Sequence, residues 1–156
     1  MEIERKYLPL DLPRDLESYP HKRLTQGYIS RDPVIRVRSI ETLDGSGQAD
    51  RYVLTVKSSG LAVHQEYELD LTRSQFDSLS EKVEGHLISK VRYVIPLDNG
   101  LKAELELFES GCRIPGLRMV EVEFPSVEAM NAFRPPAWFG KDVTEDYHYH
   151  NSNLSL

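Results

Sequence analysis

The sequence predicts a mainly β fold with a few helices, built as eight antiparallel strands in a closed barrel or a two-layer sheet. Three observations carry this. The long segments alternate polar and apolar residues with period two, as half-buried strands do. The breaks between them are short and rich in Gly, Asp, Asn and Pro, which makes consecutive strands antiparallel. Helical spacing surfaces in only two longer segments.

In order, the expected strands are residues 2–8, 23–30, 34–42, 51–58, 63–71, 87–96, 101–108 and 117–124. Asp32-Pro33 separates the second from the third, and Asp44-Gly45-Ser46-Gly47 the third from the fourth. Ser58-Ser59-Gly60 separates the fourth from the fifth, and Asp98-Asn99-Gly100 is a strong hairpin signal between the sixth and seventh. One helix is expected over 72–83, with Thr72 as N-cap and Phe76, Leu79 and Val83 on one face. A second is expected over 126–133, opening at Ser126 and carrying Val127, Met130 and Phe133. A short helix or turn is expected within 12–19, and the tail after Trp138 has no period.

A chain of 156 residues fits a single domain, residues 1–156, with room for a sizeable core. The net charge of −6 and pI of 5.4 argue against a nucleic-acid-coating or membrane-surface protein, which needs a basic excess. No nucleic-acid or membrane partner is therefore expected. Cys112 is the only cysteine, which excludes an intrachain disulfide and a cysteine-rich zinc site. No apolar run approaches 18 residues, and Met-Glu-Ile-Glu-Arg-Lys does not read as a signal peptide, so a cytoplasmic location is expected.

The charges inside the strands point to function. Successive strand side chains face opposite sides. Glu2, Glu4 and Lys6 share a face, as do Arg36 with Arg38, Thr55 with Lys57, and Glu66 with Glu68. So do Lys90 with Arg92, Glu104 with Glu106, and Glu121 with Glu123. Any one of these strands is explained by a solvated sheet face. Paired like charges in strand after strand are not, because like charges on one face repel without a compensating partner. If the sheet closes and the helices cover its apolar face, these six bases and eight acids line the interior. Buried charges of both signs are costly unless paired or ligated, and an arrangement of this many implies a ligand. Arg and Lys clusters bind phosphate, and carboxylate clusters take hard cations such as Mg²⁺ or Mn²⁺.

The motif Glu2-x-Glu4-x-Lys6 opens the chain, and others follow in order: Gln26-Gly27-Tyr28, Arg36-x-Arg38, Thr55-x-Lys57, Glu66-x-Glu68, Lys90-x-Arg92-Tyr93, Glu104-x-Glu106, Gly116-Leu117 and Glu121-x-Glu123. With the tail Trp138-Phe139-Gly140-Lys141-Asp142-Val143-Thr144 and Tyr149-His150-Asn151, the whole chain resembles small bacterial members of the CYTH superfamily, the triphosphate tunnel metalloenzymes. The resemblance implies a closed eight-stranded antiparallel tunnel with a charged interior and helices packed outside. It implies that Arg36, Arg38, Lys57, Lys90 and Arg92 grip the phosphate chain. It implies that Glu2, Glu4, Glu121 and Glu123, with Glu106, hold Mg²⁺ or Mn²⁺. Glu66 and Glu68 then order the basic side chains or help position a metal.

Lys6 shares its face with Glu2 and Glu4 and is expected to contact the terminal phosphate or the attacking water in an electrostatic role, since neighbouring carboxylates oppose the lowered pKa a base needs. Glu4, Glu66, Glu68 and Lys6 are thus the candidate catalytic residues. Three positions depart from the family pattern: His64 where Arg is frequent, Gln65 where Glu is, and Glu106 where Asp is. They are expected to tune substrate or metal preference.

The expected reaction is metal-dependent hydrolysis of a small triphosphate, inorganic tripolyphosphate first. The alternatives are thiamine triphosphate or a nucleoside triphosphate as substrate, a class IV-type adenylate cyclase, or a non-catalytic polyphosphate-binding module. The resemblance also leaves a homodimer open, with no interface legible in the chain.

Overall fold

The structure is a computed structural model that describes residues 2–58 and 62–156. Its strands are β1 (Glu2–Tyr7), β2 (His21–Arg31), β3 (Val34–Thr42), β4 (Arg51–Lys57), β5 (Val63–His64), β6 (Glu66–Leu71), β7 (Glu84–Pro96), β8 (Lys102–Ser110) and β9 (Arg118–Glu123). Helices α1 (Arg73–Ser80), α2 (Val127–Ala132) and α3 (Asn151–Leu154) complete the chain, with single 3₁₀ turns at Leu16–Ser18, Asp98–Gly100 and Tyr147–Tyr149. All nine strands join one antiparallel sheet in the order β5-β1-β9-β8-β7-β2-β3-β4-β6.

The two ends of that order, β5 and β6, are consecutive in the chain, and this closes the barrel. The strand expected over 63–71 divides at Gln65, which gives nine strands where eight were expected. Glu66 to Leu71 pair with β4, whereas Val63 and His64 pair with Ile3 and Glu2 of β1. The division is geometric: β6 runs on past Glu2, so only β5 can reach β1. Ala62 extends the seam by accepting from the Glu4 amide at 3.0 Å. The turn expected at Ser58-Ser59-Gly60 lies largely outside the described residues.

Local chemistry sets the connections. Asn99 and Gly100 both adopt positive φ, 61° and 73°, as an Asn-Gly hairpin requires. Thr72 and Gln75 form a reciprocal capping box that starts α1, and Ser126 caps α2 through the Ala129 amide. Gly27 sits where a Cβ would lie 2.7 Å from Val83 Cγ1 and 2.8 Å from Leu87 Cδ2, so the β2–β7 bulge closes only around a residue without a side chain.

The apolar strand faces point outward and most are covered, although Tyr67 and Leu69 of β6 remain exposed. Phe76 of α1 packs on Tyr52 of β4, with ring centroids 5.5 Å apart. On the other side, Ile3, Tyr7, Tyr93, Leu105, Val120 and Val122 form a core with Phe124 and Phe139, against which Phe133 and Trp138 pack. The tail, unpatterned in sequence, is structured. It runs along the end of β1, where Leu10 and Leu8 amides donate to Trp138 and Lys141 carbonyls, and the Lys6 amide donates to Thr144 Oγ1 at 3.0 Å. It then turns in, and Leu154 of α3, fully buried, packs with Ile88, Phe108, Leu117 and Met119. Strand alternation puts Ile88, Phe108 and Met119 on the inner face with Lys90 and Glu106, so α3 stoppers one end of the lumen with an apolar plug.

Candidate active site

The polar strand faces turn inward, and their order around the barrel sorts them by sign. From β6 through β1 and β9 to β8, the wall carries Glu66, Glu68, Glu2, Glu4, Glu121, Glu123, Glu104 and Glu106. From β7 through β2 and β3 to β4, it carries Lys90, Arg92, Gln26, Arg36, Arg38, Thr55 and Lys57. Among the described residues, Lys6 is the one buried lysine or arginine on the acidic half. Two adjoining cavities of about 360 and 370 Å³ lie between these walls and share Glu4, Arg36, Lys57 and Asn151. Ten of the predicted site residues line the first: Glu2, Glu4, Arg36, Arg38, Lys57, Glu66, Glu68, Arg92, Glu121 and Glu123. Lys6 lines the second. Lys90 and Glu106 line neither; both are fully buried behind the wall, 2.7 Å apart.

The two signs satisfy each other across the lumen. Lys57 Nζ lies 2.7 Å from Glu2 Oε1 and 3.9 Å from Glu4 Oε1. Lys6 Nζ lies 3.5 Å from Glu121 and 4.0 Å from Glu4. Arg92 donates from Nε and Nη2 to Glu106 at 3.0 and 2.8 Å, and its Nη1 reaches Glu104 at 3.1 Å. Arg38 donates to Gln26 Oε1 at 2.8 Å, which explains Gln26 in the Gln-Gly-Tyr motif: it aligns a guanidinium that has no carboxylate partner among the described residues. Arg36 donates to Thr55 Oγ1 at 3.1 Å.

Burial and neighbours displace the ionisation of these groups. Burial favours the neutral Lys6 amine, but Glu121 and Glu4 prevail and hold it protonated, well above the usual lysine range. Burial pushes Lys90 down to about 8, against the pull of Glu106. Burial, then Arg36 and Arg92, lower Arg38. Burial and the adjacent Glu121 raise Glu4. Burial and Glu2 raise Glu66 to about 8. Glu2 and Glu121 end below the carboxylate range: against burial, His64, Glu66 and Lys57 win at Glu2, and Lys6, Lys90 and Arg92 win at Glu121.

The acidic wall fits a divalent cation. Glu121 Oε1 and Glu106 Oε1 are buried oxygens without a hydrogen-bond partner among the described residues. Donor atoms of Glu2, Glu4 and His64 lie within 4.8 Å of one another. Glu123, next to Glu121 on the inner face, stands at the more open end of the wall.

Sequence reasoning passed over the tail. Asn151 Oδ1 accepts from Lys90 Nζ at 3.1 Å, and His150 and Asn153 line the cavity that contains Lys6. The only signal for them is the Tyr149-His150-Asn151 string, since nothing periodic announces that a tail folds back into a lumen. His148 is exposed and bonds Asp146.

A closed barrel with one acidic and one basic half defines a charged tunnel. The chain is 40% identical over 156 residues to an inorganic triphosphatase of Nitrosomonas europaea, covering 99% of this chain and 97% of the relative. It is 32% identical over 133 residues to an inorganic triphosphatase of Acetivibrio thermocellus, covering 83% and 77%. The crystal structure of the inorganic triphosphatase NE1496 superimposes with a TM-score of 0.69 at 37% identity, over 100% of this chain and 95% of that one. A Hippeastrum protein described as a putative adenylyl cyclase with dominant triphosphatase activity shares the fold, with a TM-score of 0.55 at 17% identity over 84% of this chain and 83% of that one. No protein-family profile matches. The chain belongs to the CYTH superfamily of triphosphate tunnel metalloenzymes, alongside the inorganic triphosphatases.

Proposed function

We propose that this chain hydrolyses inorganic tripolyphosphate to pyrophosphate and phosphate, with Mg²⁺ or Mn²⁺ as the required cation. The observation that carries the reading is the division of the lumen into an acidic and a basic half. A tripolyphosphate with a bound cation presents matching charges to both. The names of the two bacterial relatives support the inorganic substrate.

Arg36, Arg38, Lys57 and Arg92 grip the phosphate oxygens from the basic half, Arg by paired donors and Lys as a point charge. Lys90, enclosed with Glu106 and Asn151, supports that wall from behind. Glu106, shared by Lys90 and Arg92, holds both bases in place. Glu2, Glu4, Glu121 and Glu123 are the carboxylates that hold the metal. When bound, the cation neutralises phosphate oxygens and acidifies a coordinated water. Lys6, held protonated between Glu4 and Glu121, stabilises charge on the terminal phosphoryl group as water attacks phosphorus and the bridging P–O bond breaks. Glu66 and Glu68 face Lys57 and Thr55 across the β4–β6 ladder and order the basic end. Pyrophosphate leaves with the bond electrons.

The test is phosphate release from tripolyphosphate, thiamine triphosphate, ATP and pyrophosphate in parallel, with Mg²⁺, Mn²⁺ or chelator. Rapid release from tripolyphosphate alone, abolished by chelator and by Glu4→Gln, is the expected result. Preference for an organic triphosphate overturns the substrate assignment, and tripolyphosphate binding without turnover overturns the enzymatic reading.

A further inference from the structure

His64 departs from the family pattern and lies inside the lumen. Its placement is fixed by the seam that closes the barrel: β5 pairs with β1 so that His64 stands directly across from Glu2 on the inner face. The ring is 5% exposed. Its Nε2 meets Glu2 Oε1, while Nδ1 has no hydrogen-bond partner among the described residues. A His64 ring nitrogen, a Glu2 oxygen and a Glu4 oxygen all fall within 4.8 Å of one another. Donors on one octahedral cation sit about 3 Å apart when adjacent and about 4.2 Å when opposite, so the set fits one cation once Nε2 and Glu2 Oε1, which lie in direct contact, part to admit it and the Glu4 oxygen shifts slightly. Beside Glu4, the buried Glu121 Oε1 faces Lys6 Nζ at 3.5 Å but has no hydrogen-bond partner among the described residues, so it can serve as a fourth donor alongside that ion pair.

We propose that His64 is itself a metal ligand, completing with Glu2 and Glu4 a mixed nitrogen–oxygen set that takes Mn²⁺, Co²⁺ or Zn²⁺ in preference to Mg²⁺. The inference deepens the triphosphatase reading above and rests on it. The chemistry follows from the donors. Mg²⁺ is a hard cation that takes oxygen ligands and keeps its waters, whereas imidazole nitrogen adds affinity along the first-row series from Mn²⁺ toward Zn²⁺. An arginine at position 64 brings a fixed positive charge to the same spot and has no lone pair to donate. The His64 side chain therefore replaces a group that repels the cation with one that binds it. One imidazole and two carboxylates also leave open positions on the cation for phosphate oxygens and water, as a catalytic site needs.

Pulsed EPR of Mn²⁺ added alone to the purified protein tests this, because a bound imidazole imposes a ¹⁴N coupling on the manganese signal. The coupling is expected in the wild type, changes to that of ¹⁵N when the protein carries ¹⁵N-histidine, and is absent in His64→Gln. Mn²⁺ affinity falls about ten-fold or more in His64→Gln, while Mg²⁺ affinity changes by less than about three-fold. The isotope exchange needs no variant, so the proposal stays testable if His64→Gln folds poorly. Bound Mn²⁺ without nitrogen coupling, or coupling that survives in His64→Gln, overturns it. Tripolyphosphate hydrolysis with Mg²⁺, measured on the same preparation, separates the two readings. Turnover without nitrogen coupling removes His64 from the metal and leaves the triphosphatase standing. Failure of both Mn²⁺ binding and turnover removes both.

Discussion

Lys6 and Lys90 are both buried lysines of the lumen, and their neighbours drive them in opposite directions. Lys6 faces Glu121 and Glu4, which overcome the effect of burial and keep it charged. Its work is therefore electrostatic, and Lys6→Arg is expected to retain more activity than Lys6→Met, which loses about 10²-fold or more in kcat, the scale of removing one group that stabilises developing charge. Equal loss in both variants, measured as phosphate release at saturating substrate, contradicts that role. Lys90 falls from 10.5 to about 8 under burial. Between those values the unfolded chain holds a proton that the folded chain has shed, so stability rises with pH across about pH 8 to 10.5. Urea midpoints at pH 8 and pH 10 are expected to show a smaller rise in Lys90→Met than in the wild type. At this scale the sequence was largely informative: period-two alternation alone put the charged residues of seven strands on one face. It could not tell that Lys90 and Glu106 lie behind the wall while Arg92 lines it, because depth within a barrel depends on packing from the plug, not on alternation.

At the scale of elements, strands and helix caps were legible because each rests on local signals: alternation, Asn-Gly, Thr72 and Ser126 as N-caps. Two features were not local and escaped. The division at Gln65 depends on where β1 begins relative to β6, a register between distant segments. The tail depends on Leu154 finding Ile88, Phe108, Leu117 and Met119, and a four-residue helix has too few turns to show a period. The plug nonetheless has a definite energetic weight. Truncating a fully buried leucine removes transfer free energy and leaves a cavity, so Leu154→Ala is expected to cost about 2–4 kcal/mol. Urea unfolding checks this with the slope unchanged. A cost below about 1 kcal/mol means that α3 is not held in the lumen. Because Asn151 of the same helix bonds Lys90, the variant is also expected to weaken tripolyphosphate hydrolysis.

For the whole molecule, the barrel holds its opposite charges as internal pairs, and this makes the two ligands of the proposed reaction interdependent. Lys57 is the clearest case: at 2.7 Å from Glu2 and 3.9 Å from Glu4 it occupies carboxylates that a cation needs, while Glu2 occupies a base that phosphate needs. A cation on Glu2 and Glu4 frees Lys57 for phosphate, and phosphate on Lys57 frees the carboxylates for the cation. Each ligand thus lowers the cost of admitting the other, and by linkage the coupling is the same in both directions. Removing Lys57 must then have opposite effects on the two. In Lys57→Ala, Mn²⁺ alone is expected to bind more tightly, by about 3- to 10-fold, because Glu2 loses both a competitor and a neighbouring positive charge. In the same variant KM for tripolyphosphate is expected to rise, and the gain in metal affinity that a hydrolysis-resistant imido analogue confers is expected to shrink. Calorimetric titration of metal with and without the analogue measures all of these binding terms. If Lys57→Ala weakens metal binding, Lys57 is not a competitor for the carboxylates, and the exchange of partners across the lumen is not how the two ligands communicate.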